Sequence, residues 1–241
     1  MVDQDTQNKS YDAIAPYYAS YAKTKETYIN AINQLVLSYL KPNMRLLDIG
    51  SGDGLRLKNL LRESNIDNAV AIEPSHEMAE LCRKNLNIQV FEKTAIELAG
   101  MEMESFDVVT ALWNVFGHIP GTHDRKKSLQ AIYNKLNSGG VVVLDVNNRH
   151  NQRAYGRLKV MYRRLLDYWC FSEKRGDAQY FWNIDGQKIA GSGHLFIPQE
   201  VEKLFLHTGF QRVSRFTVDY LTGEVSNKKF QGQLFYVFKK I

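Results

Sequence analysis

The 241-residue chain has little of what builds a small stapled or metal-held protein. Its two cysteines, Cys82 and Cys170, form no CxxC pair and stand in no Cys/His cluster, which excludes a zinc finger or disulfide scaffold and fits a reducing compartment. No metal site is expected. No apolar run approaches the ~18–20 residues that cross a bilayer, and the opening MVDQDTQNKS lacks the basic-then-apolar order of a secretory signal. A cytoplasmic protein with no membrane partner is therefore the expectation. There is no internal repeat and no low-complexity tract. What is present is ordinary globular composition, 44% hydrophobic and 24% charged, in a chain long enough to bury roughly 70% of its unfolded surface without staples.

The net charge of +5 is unevenly distributed. Residues 149–175 carry eight basic side chains (Arg149, Arg153, Arg157, Lys159, Arg163, Arg164, Lys174, Arg175) against Asp167 and Glu173, so this segment is +6 and the other residues sum to −1. The surplus is one patch rather than a global preference for polyanions.

Short apolar runs, MRLLDIG (44–50), AVAIE (69–73), IQVFE (88–92), FDVVTAL (106–112) and GVVVLDV (140–146), alternate with helix-length segments. Runs buried on both faces and joined by crossover helices make a doubly wound α/β fold with a mostly parallel sheet. Residues 10–40 read as helix, ended by Lys41-Pro42-Asn43. Pro198 opens a later helix that stops at Gly209, and RVSRFTVDYL and QLFYVF follow as strands expected to pair antiparallel at the sheet edge. Only 147–192 breaks the rhythm, as a candidate lid. The chain reads as a single domain, 1–241, with a helical N-terminal lid at 10–40 and a basic helical insert at about 147–192.

LLDIGSGDG (46–54) places Gly50, Gly52 and Gly54 between a strand and a helix, where a missing Cβ lets backbone approach a ligand at the strand ends. A dinucleotide loop would need a third glycine where Leu55 stands, and no GKS or GKT makes a P-loop. Asp48, just before the loop, would repel phosphate. The ligand expected is an adenosine without phosphates. Glu73 ends the second strand, 23 residues after Gly50, where a carboxylate can accept both ribose hydroxyls.

These segments, with YDAIAPYY at residue 11 and FIPQEVEKLFLHTGF near the end, resemble the class I S-adenosylmethionine-dependent methyltransferases of the small-molecule branch. The resemblance implies a seven-stranded sheet with an antiparallel last strand and S-adenosyl-L-methionine as cofactor. It assigns Gly50, Ser51 and Gly52, after Asp48, to the methionine-ribose floor and Glu73 to the ribose hydroxyls. Pro74 and Ser75 flank the adenine; Thr94 and Ala95 stand where relatives carry an Asp-Ala pair. Ala111, Leu112 and Trp113 match the segment that holds the cofactor's amino group, and Tyr11, Tyr17 and Tyr18 match tyrosines that fold over the site. Lys25 sits near a family arginine.

Methyl transfer needs the acceptor held in line and water excluded more than it needs a base. His118, in WNVFGHIP, is the candidate base, since an unperturbed imidazole near ~6.5 suits proton removal; a similar Gly-His stands in several sugar-amine N-methyltransferases. His194 is a second candidate to face the acceptor, and His123 reads as solvated. The [ND]PP[YF] motif of DNA-amine methylation is absent around Asn114. Residues 153–169 form an amphipathic helix, with Tyr155, Leu158, Met161, Tyr162, Leu165, Leu166 and Trp169 on one face and Arg153, Arg157 and Arg164 opposite. Its apolar face is expected to cover the domain or the acceptor, leaving the cations to solvent, to an anionic acceptor or to RNA. The function expected is methyl transfer to N or O of a small molecule, with an RNA methyltransferase using 149–175 as the alternative.

Overall fold

The computed structural model describes residues 4–184 and 187–241. Helices α1 (Gln4–Ile14), α2 (Tyr18–Lys23) and α3 (Glu26–Leu37) precede the alternating part. There, β1 (Arg45–Ile49), α4 (Leu55–Ser64), β2 (Asn68–Ile72), α5 (His76–Asn85), β3 (Gln89–Phe91), β4 (Phe106–Ala111), α6 (Val115–His118), α7 (Gly121–Lys135) and β5 (Leu136–Val146) follow in turn. The segment after β5 holds α8 (Gln152–Tyr155), α9 (Arg157–Trp169), β6 (Asp177–Ile184) and β7 (Gln187–His194). The chain then runs through α10 (Pro198–Leu206), β8 (Phe210–Val218), β9 (Val225–Ser226) and β10 (Gln233–Lys240).

The eight-stranded sheet has the order β3-β2-β1-β4-β5-β10-β8-β9. The first five run parallel, and β10 lies antiparallel to both β5 and β8. Two details differ from the sequence reading. The added strand is the two-residue β9, paired with Thr217 and Val218. The last strand is also inside the sheet rather than at its edge. Its first six residues, Gln233–Phe238, are all buried, which only an interior position covered on both faces permits, whereas β8 is exposed over much of its length.

Alternation along the strands divides the core into two layers. Leu47, Val109 and Phe238 point to the layer packed by Leu129, Ile132 and Phe205; Leu46, Val108 and Val237 point to the layer under Tyr28, Ile32, Leu57 and Leu60. The strand order reverses at β1, between β2 and β4, so a crevice opens at the carboxyl ends of these strands. The segment after β5, expected to be helical, is only half so. Its second half is the β6–β7 hairpin, packed against α1 and α6. No described helix is long and apolar enough to cross a membrane.

Candidate active site

Chain geometry at the end of β1 makes the floor. Gly50 and Gly52 take φ of +70° and +57°, and the Gly50 N–H donates to the Ile72 carbonyl at 2.7 Å. A Cβ on Gly50 would lie 2.5 Å from Val115, and one on Gly52 3.2 Å from the Tyr18 ring, so the residue type and the roof above it are matched. Glu73 follows β2 and is stapled to this loop. Its Oε2 accepts from Gly52 N–H at 2.8 Å and its Oε1 from Ser75 N–H at 3.0 Å, leaving lone pairs on both oxygens for further donors. Burial pushes its carboxyl up to about 7, against the opposing pull of the two N–H groups.

The segment after β4 makes one wall. Trp113 and Asn114 both sit at positive φ, +63° and +66°, a cost for residues with side chains. Asp145 holds the turn: its Oδ1 accepts from Trp113 N–H at 2.7 Å and its Oδ2 from the Tyr28 hydroxyl at 2.6 Å. Asn114 N–H donates to the Asp145 carbonyl at 3.0 Å, and its Oδ1 accepts from Asn147 N–H at 2.9 Å. Trp113 is thereby presented to Tyr21, which stacks on it at 5.8 Å, and to the Tyr220 hydroxyl, 3.1 Å from its Nε1. Asp145, Tyr28 and Tyr220 were missed from sequence; an acid ending a strand beside the crevice, as Asp48 does, was the available signal.

The roof comes from α1 and the hairpin. Asp12 accepts from the Ser75 hydroxyl at 2.6 Å and from Glu77 N–H at 3.1 Å, tying α1 to the start of α5. Gln7, buried, donates from Nε2 to the Ser192 carbonyl, and since that oxygen can only accept, the amide orientation is fixed. Its Oε1 is left without a partner among the described residues. His118 is fixed in the same way. Its Nδ1 donates to the Ser192 carbonyl at 3.1 Å, so Nε2 accepts from the Tyr11 hydroxyl at 3.0 Å. Burial lowers the imidazole to about 4, and burial with the neighbouring Tyr180 raises Tyr11 well above the usual phenol range.

Together these enclose a cavity of about 460 Å³. Tyr18, Gly50, Gly52, Glu73, Pro74, Thr94, Ala95, Leu112, Trp113 and His118 all line it. Tyr17, Asp48, Ser51, Ser75 and Ala111, also expected there, do not. Asp48 and Ser51 line a smaller cleft beside the loop, because the Asp48 carboxylate is turned to the Thr110 hydroxyl at 2.5 Å and Ser51 Oγ donates to the Asp48 carbonyl. Ala111 is closed inside the sheet. His194 is also turned away, with its ring nitrogens 2.9 Å from Asp177 and Glu200 carboxylate oxygens. Lys25 instead lies over the Tyr220 ring at 5.3 Å. His123 is exposed on α7. The sequence reading missed Gln7, Tyr180 and Trp182, which complete the far end of the cavity.

Helix α9 has the opposite orientation from the one expected. Its inward residues are Val160 and Asp167, the latter held by Arg149 at 3.2 Å and His150 at 2.9 Å. Arg153 is paired with Glu224 at 2.7 Å, and from residues 149–175 only Tyr155 reaches the cavity. The apolar side faces outward.

Comparison with known proteins agrees with this arrangement. Residues 18–215 match the family described as "Methyltransferase domain". The chain belongs to this family and is a class I methyltransferase of the S-adenosylmethionine-dependent kind. Among its relatives is a carboxy-S-adenosyl-L-methionine synthase of Shewanella piezotolerans, 28% identical over 195 residues that cover 79% of this chain and 76% of that protein. The fold is shared with a Thermotoga maritima protein described as a possible histamine N-methyltransferase, at a TM-score of 0.66 and 20% identity, covering 97% of this chain and 99% of that one. It is shared also with CalS10, an amino pentose methyltransferase from Micromonospora echinaspora, at a TM-score of 0.62 and 16% identity over 93% of this chain and 96% of that one.

Proposed function

We propose that this chain transfers a methyl group from S-adenosylmethionine to an unprotonated amine nitrogen of a small acceptor that carries N–H donors and no negative charge. The positive charge passes from sulfur to nitrogen, and the surplus proton leaves to solvent after the transfer. The observation that carries this reading is the far end of the cavity. Gln7, whose buried Oε1 has no partner among the described residues, lines it with Asn8, Tyr11, Tyr180 and Trp182, and no described arginine does. An amine N–H satisfies a buried carbonyl oxygen, and aromatic faces favour a cation. The cations of 149–175 give an anionic acceptor no support, since none of them lines the cavity.

The residues fit the cofactor. Gly50 and Gly52 line the cavity with bare backbone at positive φ, and the free lone pairs of Glu73 suit two ribose hydroxyls. Pro74 and Ala95 flank the adenine in this reading. The Thr94 hydroxyl already donates to Glu97 at 2.9 Å, so toward an adenine amino group it can act only as acceptor. Leu112 and Trp113 border the methionine end, while Asp48, Ser51 and Ala111 support the floor from behind. Helices α1–α3 and the β6–β7 hairpin serve as the lid.

Bound there, S-adenosylmethionine supplies a methyl carbon on a sulfonium, open to in-line displacement by an acceptor lone pair. The chain's part is orientation and exclusion of water, worth up to ~7–11 kcal/mol for well-placed reactants. His118 works through Tyr11. By accepting the Tyr11 hydrogen it turns that hydroxyl's lone pairs toward the acceptor N–H, which makes it a positioning residue rather than the base that an unperturbed imidazole would be. The two free cysteines suit a cytoplasmic setting.

Two other readings have less support. A carboxylated product would place a carboxylate in the cavity, where it needs a cation. Lys93 is the only described lysine or arginine lining it, and Glu97 holds Lys93 at 2.9 Å. The RNA reading keeps only Arg157 free of the three arginines on the helix face it relied on, because Arg153 is ion-paired and Arg164 lies on the Phe230 ring at 4.2 Å. A panel of amines, alcohols and carboxylic acids incubated with methyl-labelled S-adenosylmethionine tests the proposal: label entering amines supports it, and label entering only alcohols, acids or RNA overturns it.

A further inference from the structure

Helix α9 carries a surface feature that the catalytic reading leaves unused. At 100° per residue, Leu158, Met161, Tyr162, Leu165, Tyr168 and Trp169 fall within an arc of ~120°. All six point outward, at 57% to 81% exposure. The inward side is fixed by burial of Val160 and by the Arg149–Asp167–His150 cluster, so this orientation belongs to the fold and not to a loosely attached helix. The face continues into a groove against α10, of about 1080 Å³, to which Phe196, Ile197 and Leu204 contribute.

The charges left unpaired around this face are basic, because the acids lining the groove are engaged: Glu173 with Arg125 at 2.9 Å, Glu200 with His194 at 2.9 Å, and Asp167 with Arg149 and His150. Arg157 and Arg164 flank one side of the arc and Lys159 the other, while Lys126 and Lys203 stand across the groove. Arg157, Lys159, Lys126 and Lys203 have no acidic partner among the described residues, and the only acid of α9, Asp167, is buried inward. An isologous second copy would set these cations against their equals. Nucleic acid would meet the cations but leave the aliphatic arc uncovered. An apolar and aromatic stripe bordered by lysine and arginine is instead the pattern of a helix lying in the headgroup region of a bilayer.

We infer that α9 docks this enzyme on the surface of an anionic phospholipid membrane, with the aromatic and aliphatic arc entering the interface and the basic rim on the headgroups. That no described helix is long and apolar enough to cross a membrane is compatible with this, because α9 lies on the bilayer rather than crossing it. Tyr155, one residue before the helix is entered through Gly156, lines the active-site cavity, so docking would bring the acceptor end near the lipid surface.

Sedimentation of the full chain with vesicles tests it. Expected are binding to phosphatidylglycerol–phosphatidylcholine vesicles that weakens as salt rises, little binding to phosphatidylcholine alone, and a blue shift of tryptophan emission that Trp169→Phe removes. Charge reversal by Arg157→Glu with Lys159→Glu should weaken binding by about 30-fold or more, and Leu158→Asp with Leu165→Asp should abolish it. Both double variants should still bind S-adenosylhomocysteine, which shows them folded. No vesicle binding, binding unchanged in both double variants, or a dimer in analytical ultracentrifugation that Leu165→Asp dissociates overturns the inference, the last by assigning the face to a second copy.

Discussion

Glu73 is the residue on which cofactor affinity should turn. Its carboxylate accepts two backbone N–H groups and has lone pairs left for two hydroxyls, so Glu73→Gln removes a charged acceptor of several bonds at once. Hydrogen bonds to charged groups are worth ~1.5–3 kcal/mol, and calorimetry should find S-adenosylhomocysteine bound about 10- to 100-fold more weakly. The pH dependence has a definite sign. Because the folded pKa, about 7, lies above the ordinary glutamate value, the proton on Glu73 favours the ligand-free fold at acid pH, and that contribution fades as pH rises through about 7. The ionised form that ribose hydroxyls need is populated over the same range. The rise in Tm on adding S-adenosylhomocysteine should therefore be larger near about pH 8 than near about pH 6; an equal rise at both would contradict this role. His118 behaves differently. Held neutral down to about 4, it should leave no acid limb near 6.5 in kcat, and Tyr11→Phe and His118→Ala should lower kcat more than they raise the cofactor KM. Gln7→Leu should raise the acceptor KM. The glycine floor and Glu73 were legible in sequence because their geometry is local to two strand ends. Gln7 and the Tyr11–His118 pair were not, because their partners stand 185 and 107 residues away.

At the scale of elements, α1 and the β6–β7 hairpin form the enclosing parts, and each has a point at which it can be loosened. Asp12→Ala removes both bonds from α1 to the start of α5, so amide exchange of α1 should quicken and S-adenosylhomocysteine should dissociate faster, while the sheet stays protected. In the hairpin, Gly191 faces Tyr180 across the pair, and a Cβ there would lie 2.5 Å from the Tyr180 ring and 2.6 Å from Trp182. Gly191→Ala should thus displace the aromatic wall and raise the acceptor KM with little effect on cofactor binding. Apolar runs revealed β1, β2, β4 and β5, since strands buried on both faces show as continuous hydrophobic segments. The hairpin escaped although its burial alternates from Asp177 to Asn183, because the exposed Phe181 and the short side chains Ala190, Gly191, Ser192 and Gly193 blur the apolar pattern; the Asp-Gly dipeptide between the strands was the missed signal. Periodicity also identified α9 as amphipathic, but period says nothing of which face turns inward. Asp167 and its cationic partners decided that.

Across the whole molecule, the local basic surplus, the aromatic end of the cavity and the glycine floor at the strand ends occupy different parts of the fold. The +6 of residues 149–175 is spent on internal pairs around Asp167, on Glu224 and on the rim of α9, and the cavity itself is served by neutral polar and aromatic groups. A protein so arranged should select acceptors by N–H donation and aromatic contact rather than by negative charge. The most direct measurement is mass spectrometry of label passed from methyl-labelled S-adenosylmethionine to matched acceptors that differ only in bearing an amine, a hydroxyl or a carboxylate. Labelled N-methyl product from the amine, with a loss of turnover in Tyr11→Phe, is the predicted result. Label confined to the hydroxyl or carboxylate acceptor would contradict it.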